Sequence, residues 1–460
     1  SLLLDPSKRV LAFFDDSNNL KNQLINNIPI LGSFKKIIQL KESFSNLEVL
    51  LAIPSIKTEQ RREIIGKLEY AKIAVRTVPS FNEILSDEKK LSDIQNLSLD
   101  DLLPRARVSQ GVINNAENFH FFVTGAGGSI GSEIVRQLLR HSPKSIILFD
   151  ISEINLYVVE RECRALANSE GISTDIIPIL GDVRDLGSLR HLFKKFPINF
   201  VYHAAAYKHV PLVEDINNIV RAAENNIIGT YNLASVSLEN RVSSFVMIST
   251  DKAVRPSNIM GASKRLAEMI IQSLSSNQAN VKFSMVRFGN VINSSGSVIP
   301  LFLDQISKGG PVTVTDKNVT RYFMTIPEAS NLVLQAGQMS EGGEVFILDM
   351  GEQLKIYDLA KKLVHLSGRN IAEHSSEEGI EITEVGLRPG EKMYEELLIS
   401  GDQLRTDNPK IFKSIEKYPA QKIMESCIDE ISNAIKLNDY IAITKIFENY
   451  VEGFIYDDKK

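Results

Sequence analysis

Cysteine is scarce: Cys163 and Cys427 are the only two in 460 residues. Two thiols cannot build a disulfide framework, which fits a reducing, cytoplasmic compartment. The seven histidines are scattered, without the His-x-His or His-Glu-x-x-His spacing from which a zinc site starts, so no metal is expected. No apolar run approaches the ~18 residues that span a bilayer. No basic-then-apolar leader opens the chain. These residues are therefore expected to make no membrane contact. A basic surplus is missing too, since 52 Lys and Arg face 57 Asp and Glu for a net charge of −5. Such a chain gains little general attraction to phosphate backbones, and nucleic acid is not expected as a partner. With 43% hydrophobic and 24% charged residues, the composition is that of ordinary globular domains.

Glycine is spread unevenly. Residues 1–110 hold only Gly32 and Gly66, and the other 24 glycines follow. The first stretch still alternates. Runs of strand length at 9–14, 48–53 and 72–78 flank a helical mixture over 58–68. This predicts a small N-terminal α/β unit over 1–85. A polar linker is expected over 86–117, with the charge run Asp87–Lys90, a break at Pro104 and a short helix around Leu99–Leu103. From Phe119 onward six strands are predicted, at 119–124, 145–150, 176–181, 199–204, 244–249 and 281–287, with helices between them. That pattern is a Rossmann-type doubly wound parallel sheet in an α/β protein. The expected organisation is a dinucleotide domain over 118–290, with parts of 320–350, and a smaller substrate-binding lobe over 291–410. A helical tail over 411–460 follows, with Lys422–Asn449 amphipathic.

The strongest local signal is Gly125-Ala126-Gly127-Gly128-Ser129-Ile130-Gly131, placed between a predicted strand and a predicted helix. Gly125 would permit the turn, Gly128 would admit a pyrophosphate, and Gly131 would let the helix pack on its strand. The helix amino terminus would face the phosphates. Asp150 ends the next strand 19 residues after Gly131, where a carboxylate binds ribose hydroxyls. The plainer reading makes Asp150 a helix cap. No Arg or Lys follows it directly, which favours NAD over NADP. Asp182 and Val183 would flank the adenine. Ala204, Ala205 and Ala206 would leave room for the nicotinamide ribose.

Ser249-Thr250-Asp251-Lys252 closes the fifth strand, and Met260 to Lys264 follows on a helix. Here the sequence resembles the extended short-chain dehydrogenase/reductases, which carry Tyr-x-x-x-Lys on this helix. Lys264 is kept, and Met260 stands in place of the tyrosine. The strings His203–Pro211, Asn225–Thr230, Asp251-Lys252-Ala253, Arg287–Val291 and Gly386–Lys392 narrow the resemblance. Together they look like the nucleotide-sugar 4,6-dehydratases of bacterial surface-polysaccharide and protein-glycosylation pathways. Within that family the chain is similar to the long, membrane-anchored UDP-N-acetylglucosamine branch. The resemblance implies a cytoplasmic fragment of a protein anchored to the inner membrane, working as a homo-oligomer, at least a dimer, paired through helices near 210–238 and 258–275.

The resemblance further implies an internally redox-neutral dehydration with recycled NAD. Lys252 would remove the carbon 5 proton, and Asp251 would protonate the departing carbon 6 hydroxyl. Since the Met260 thioether has no proton to exchange, Thr250 is expected to orient the carbon 4 hydroxyl or a water, with Asp251 as the eventual acceptor. Lys264 would bind the nicotinamide ribose, and Lys264 and the nicotinamide cation nearby would push down the pKa of Lys252. Lys208 and Asn226 would lie nearest the nicotinamide. Asn290, Arg321, Arg388 and Glu391 would contact the substrate. Tyr207 and Tyr322 would pack near the sugar or fill the lobe interface, and His203 and His209 would be structural. Three plainer readings stand beside this one. Asp251-Lys252 could be a solvated ion pair. The chain could be a 4-epimerase on the same scaffold. Met260 could mark a silent nucleotide-sugar-binding module.

Overall fold

The computed structural model describes residues 9–77, 95–96, 111–276, 280–372, 379–397 and 403–456, less single positions at 16, 18, 33, 45, 54, 55, 57, 112, 293, 295, 296 and 415. The expected linker features at Asp87–Lys90, Leu99–Leu103 and Pro104 lie outside the described residues. The chain divides into two compact units. One comprises 1–104, 300–314 and 357–384, and the other 105–299, 315–356 and 385–460.

The larger unit is built on one sheet. Its strands are β1 (His120–Thr124), β2 (Ser145–Asp150), β3 (Asp175–Leu180), β4 (Phe200–His203), β5 (Ser244–Ile248), β6 (Lys282–Arg287), β7 (Glu344–Leu348), β8 (Leu404–Arg405) and β9 (Ile411–Ser414). Their order is β3-β2-β1-β4-β5-β6-β7-β9-β8. The first seven are parallel, and β9 and β8 close the edge antiparallel. Strands such as Ile146–Phe149 are buried throughout, as a sheet covered by helices on both faces requires. The strand order reverses between β1 and β4, which opens a crevice at their carboxyl ends.

The helices of this unit are α1 (Ser129–Leu139), α2 (Glu153–Glu170), α3 (Leu186–Lys195), α4 (Ile216–Ala223), α5 (Gly229–Glu239), α6 (Ile259–Ser276), α7 (Ile326–Met339), α8 (Gln421–Lys436) and α9 (Tyr440–Tyr450). Local chemistry sets their starts. The side chains of Ser152, Asp185, Thr325 and Asp439 accept backbone N–H bonds in the first turns of α2, α3, α7 and α9. A π-helical stretch, Glu224–Ile228, joins α4 to α5. Two cores form: Ile134, Leu138, Ile146 and Leu332 belong to one, and Phe122, Leu189, Val236 and Phe283 to the other.

Two expectations are corrected. The tail begins not with a helix but with strand β9, and its helical part is a pair, broken at Asn438 (φ 52°), rather than one segment. That pair packs on α4 and α6. Ile219, Met269, Met424, Ile431, Ile443 and Phe447 share one buried cluster. Part of the face expected to meet a second copy is therefore packed under the chain's own α8 and α9, while Leu212 and Ile216 on it stay exposed.

The smaller unit contains a parallel pair, Glu48–Leu51 with Ala74–Thr77, joined by the helix Thr58–Tyr70. Ile65, Leu68, Ile73 and Val75 form its interior. Of the run expected over 9–14, only Phe13–Phe14 is strand, parallel to Ile28–Leu31. The expected lobe over 291–410 is also divided. Val312–Val314 and Ile380–Glu384 pair within this unit. Lys72 donates to Asn370 at 3.2 Å, and Lys362 lies 3.6 Å from Glu69.

Candidate active site

The loops after β1, β4, β5 and β6 converge on a cleft of about 480 Å³. Its floor is the glycine loop. Gly125 turns the chain at φ 62°, and a Cβ there would lie 2.7 Å from the Ala205 nitrogen. A Cβ on Gly131 would fall 2.0 Å from the Gly125 carbonyl oxygen, so α1 approaches the loop at backbone contact. Gly128 is the N-cap of α1, and with Ser129 and Ile130 it lines the cleft. The positive end of α1 thus faces inward, as an anion site requires. Gly127 looks the other way, and a Cβ on it would meet Asn155 of α2 at 2.5 Å.

Asp150 is buried at the end of β2. Its carboxylate accepts from the N–H groups of Gly127 and Ser152, both at 2.8 Å. The cap of α2 is Ser152, so Asp150 braces the glycine loop instead. Each of its oxygens keeps a lone pair for a further hydroxyl. A cradle that any Cβ would obstruct, a helix amino terminus and this carboxylate together fit an adenine dinucleotide. Asp182 is gripped by the Arg184 guanidinium at 2.5 and 2.9 Å. Val183 is buried against Gly229. Ala204 and Ala206 line the cleft, while Ala205 packs against the core.

The reactive groups sit opposite. Thr250, Asp251 and Lys252 occupy the turn after β5. The Thr250 hydroxyl donates to Asp251 Oδ1 at 2.9 Å. Lys252 Nζ lies 3.0 Å from the same oxygen, 3.2 Å from Asn290 Oδ1 and 3.7 Å from Glu395 Oε1. Asp251 is 1% exposed, and its Oδ2 has no hydrogen-bond partner among the described residues. This is not a solvated surface pair. Met260 and Lys264 line the cleft one turn apart on α6. Lys264 Nζ donates to the Ile248 carbonyl at 2.7 Å, and burial holds its pKa near 8 against the pull of Glu268.

Of the two groups expected to depress the Lys252 pKa, Lys264 and the nicotinamide cation, the part given to Lys264 is corrected. Burial does push it down, but Asp251 and Glu395 together outweigh burial and raise it above the ordinary lysine value, with Arg321 opposing them. Lys264 points away, to a backbone oxygen.

Of the expected substrate contacts, Lys208, Asn290, Arg321, Arg388 and Glu391 all line the cleft. Arg321 donates to Glu391 at 2.9 Å, and Glu391 also accepts from the Arg388 N–H at 3.2 Å. Arg388 itself is exposed. Asn226 does not line the cleft. Its amide holds Tyr207 at both backbone N (2.8 Å) and O (3.0 Å), and Ser263 Oγ at 3.0 Å. Tyr207 lines the cleft, and Tyr322 packs against the core. His203 spends both ring nitrogens on Thr124 (2.7 Å) and Thr230 (2.9 Å), with burial driving its pKa to about 3. His209 lies at the cleft wall.

Two features escaped the sequence reading. One is Glu395, 4% exposed beside Lys252. Nothing in its local sequence separates it from Glu396, which pairs with Arg255 at 3.0 Å. The other is a buried charge cluster behind β5 and β6. Arg287 bonds Glu268 at 2.5 Å and Glu416 at 2.5 Å, Arg265 bonds Glu416 at 2.6 Å, and Ser249 donates to Glu268 at 2.6 Å. Glu268 lies one turn beyond Lys264 on α6, so the cluster anchors the site's floor.

The doubly wound sheet, the glycine cradle, the strand-end Thr-Asp-Lys and the helix lysine define an extended short-chain dehydrogenase/reductase. More narrowly, the chain belongs to the family described as polysaccharide biosynthesis protein, whose model matches residues 121–416. It is 45% identical over 392 residues to the capsular polysaccharide biosynthesis protein CapD of Staphylococcus aureus, covering 85% of this chain and 64% of CapD. The chain thus spans about two thirds or slightly less of that relative, 64% of its length. It is 33% identical over 288 residues to a UDP-glucose 4-epimerase of Rickettsia akari (strain Hartford), covering 62% of this chain and 79% of the epimerase. Among solved structures, Pen from Bacillus thuringiensis is similar at 33% identity and a TM-score of 0.55, covering 65% of this chain and 89% of Pen. The expected α/β fold class and the expected extended short-chain dehydrogenase/reductase family are borne out. Among the described residues no helix is long and apolar enough to cross a membrane.

Proposed function

We propose that the chain is the catalytic part of an NAD-dependent nucleotide-sugar 4,6-dehydratase acting on UDP-N-acetylglucosamine in surface-polysaccharide or glycoprotein sugar biosynthesis. The observation that carries this reading is the hydrogen-bonded Thr250–Asp251–Lys252 set around a buried Asp251, with Asn290, facing a glycine cradle in one cleft. Gly125, Gly128, Ser129, Ile130, Gly131, Asp150 and Lys264 would hold the cofactor. When bound, NAD supplies a hydride acceptor and donor for the sugar.

The chain's own residues move the protons. Thr250, bonded to Asp251 Oδ1, orients the carbon 4 hydroxyl, and Asp251 takes its proton through the unspent Oδ2. The resulting ketone acidifies carbon 5. Lys252 removes that proton and later returns it, so carbon 5 is reprotonated from the same face. Asp251 gives its proton to the carbon 6 hydroxyl, which leaves as water. Arg321 and Glu391 present a charged edge to the nucleotide diphosphate and its ribose. Met260, a thioether with no proton to exchange, serves as bulk beside the sugar. The full-length protein, by this reading, carries this part on the cytoplasmic side of an inner-membrane anchor.

The experiment is turnover of UDP-N-acetylglucosamine followed by mass spectrometry. Loss of one water is expected. Asp251→Asn and Lys252→Ala should each lower kcat by at least ~100-fold, and activity surviving both substitutions would end the assignment. The epimerase relative favours a second reading. An isomeric product of unchanged mass would establish it. Bound NAD with no conversion would mark a binding module.

A further inference from the structure

Glu395 follows the Gly386–Lys392 string in a loop that lines the cleft. Its Oε1 lies 3.7 Å from Lys252 Nζ. Its Oε2 is buried and has no hydrogen-bond partner among the described residues, the same condition as Asp251 Oδ2. Lys252 therefore stands between two buried carboxylates, each with one oxygen unspent. This arrangement creates a difficulty for the dehydratase reading, because two carboxylates hold the lysine in its ammonium form and an ammonium cannot take a proton from carbon 5.

The charged groups facing the pair are Asp251, Arg321 and Lys392. Arg321 is bonded to Glu391 and Lys392 to the Val254 carbonyl at 2.9 Å, and neither side chain can accept a proton. Asp251 is already engaged at carbons 4 and 6. Glu395 is the remaining acceptor. Burial raises its pKa, Lys252 opposes this, and Asp251 adds to it, so this carboxylate takes a proton more readily than an ordinary glutamate.

We propose that Glu395 is the proton partner of Lys252, relieving the amine of its proton before carbon 5 is attacked and restoring it afterwards. The proposal rests on the dehydratase reading for its catalytic consequence. The exchange balances. An N–H bond of the ammonium breaks and an O–H bond forms on Glu395, leaving a neutral amine. The amine then carries the carbon 5 proton and gives it back to the product, and the Glu395 proton returns to nitrogen. Nothing is oxidised or reduced. At 3.7 Å the transfer crosses a bridging water or needs a small rotation of the side chain. Glu395 acts through Lys252, which makes it a positioning residue.

The test has two arms, each on wild type, Glu395→Gln and Glu395→Asp. Without substrate, the pH dependence of Lys252 acetylation by acetic anhydride is read by peptide mass spectrometry. The midpoint should fall in Glu395→Gln, because a carboxylate that holds the ammonium proton is gone, and Glu395→Asp should lie between. With substrate, Glu395→Gln should lose about 100-fold in kcat near neutral pH with little change in KM. Its kcat should then climb with pH where that of wild type is level, and Glu395→Asp should recover part of the loss. An unmoved labelling midpoint overturns the proposal, as does a Glu395→Gln rate and pH profile equal to wild type. Should wild type release no water from the sugar, the dehydratase reading fails, and the labelling midpoint still decides whether Glu395 governs the Lys252 proton.

Discussion

Lys264 shows how one side chain can cost stability for the sake of a site. Burial depresses its pKa from 10.5 to about 8. Between those values the unfolded chain binds the extra proton, so folding stability rises with pH across that window. Lys264→Met should remove the rise. In urea melts the variant should be more stable than wild type at pH 7 by about 3 kcal/mol, less the lost bond to the Ile248 carbonyl, and the gap should close toward pH 10.5. At this scale the sequence was legible where a residue type has few other uses. The glycine loop, Asp150 and Thr250-Asp251-Lys252 were found by spacing after apolar runs, and they meet in the structure. Glu395 was not, since a buried glutamate and a surface one look alike in a string. Asp182 and Asn226 follow a strand end and a helix, which suits cofactor contacts, and spacing does not show that their polar atoms also hold the protein itself: Asp182 grips Arg184, and Asn226 grips Tyr207 and Ser263.

Elements carry the next prediction. The α1–β1 crossing depends on Gly131, where a methyl group would collide with the Gly125 carbonyl. Gly131→Ala should shift α1 outward, cost about 1–3 kcal/mol in a thermal or denaturant melt, and lower retained dinucleotide measured by absorbance after denaturation. A variant of wild-type stability and occupancy would show that α1 can move freely. The parallel strands were readable because both faces are buried and their apolar runs are continuous. The antiparallel edge was not. Leu404–Arg405 is two residues long and exposed, and Ile411–Ser414 alternates weakly. The break between α8 and α9 was hidden for a similar reason, because the apolar period continues across the turn at Asn438.

For the larger unit as a whole, the tail pair decides what the surface can do. Phe447 and Ile431 are fully buried against the α4–α6 face. Phe447→Ala should cost about 3–5 kcal/mol. By light scattering, a tail-weakened variant should gain a concentration-dependent larger species, absent from wild type at the same concentration, as the apolar groove opens. None of this could be read from periodicity alone, which identifies an apolar stripe without naming what it meets.

Arg287 gives the closing sheet edge a role in timing. Its second carboxylate, Glu416, is 129 residues downstream, just past β9. While the chain is still emerging from a ribosome, Arg265 and Arg287 therefore share Glu268 alone, two guanidiniums against one carboxylate, and a buried charge left uncompensated is strongly unfavourable. The nascent sheet should stay open and accessible to chaperones until Glu416 has been synthesised and has cleared the exit tunnel. Maturation of the larger unit would then be a late, single event rather than a gradual one.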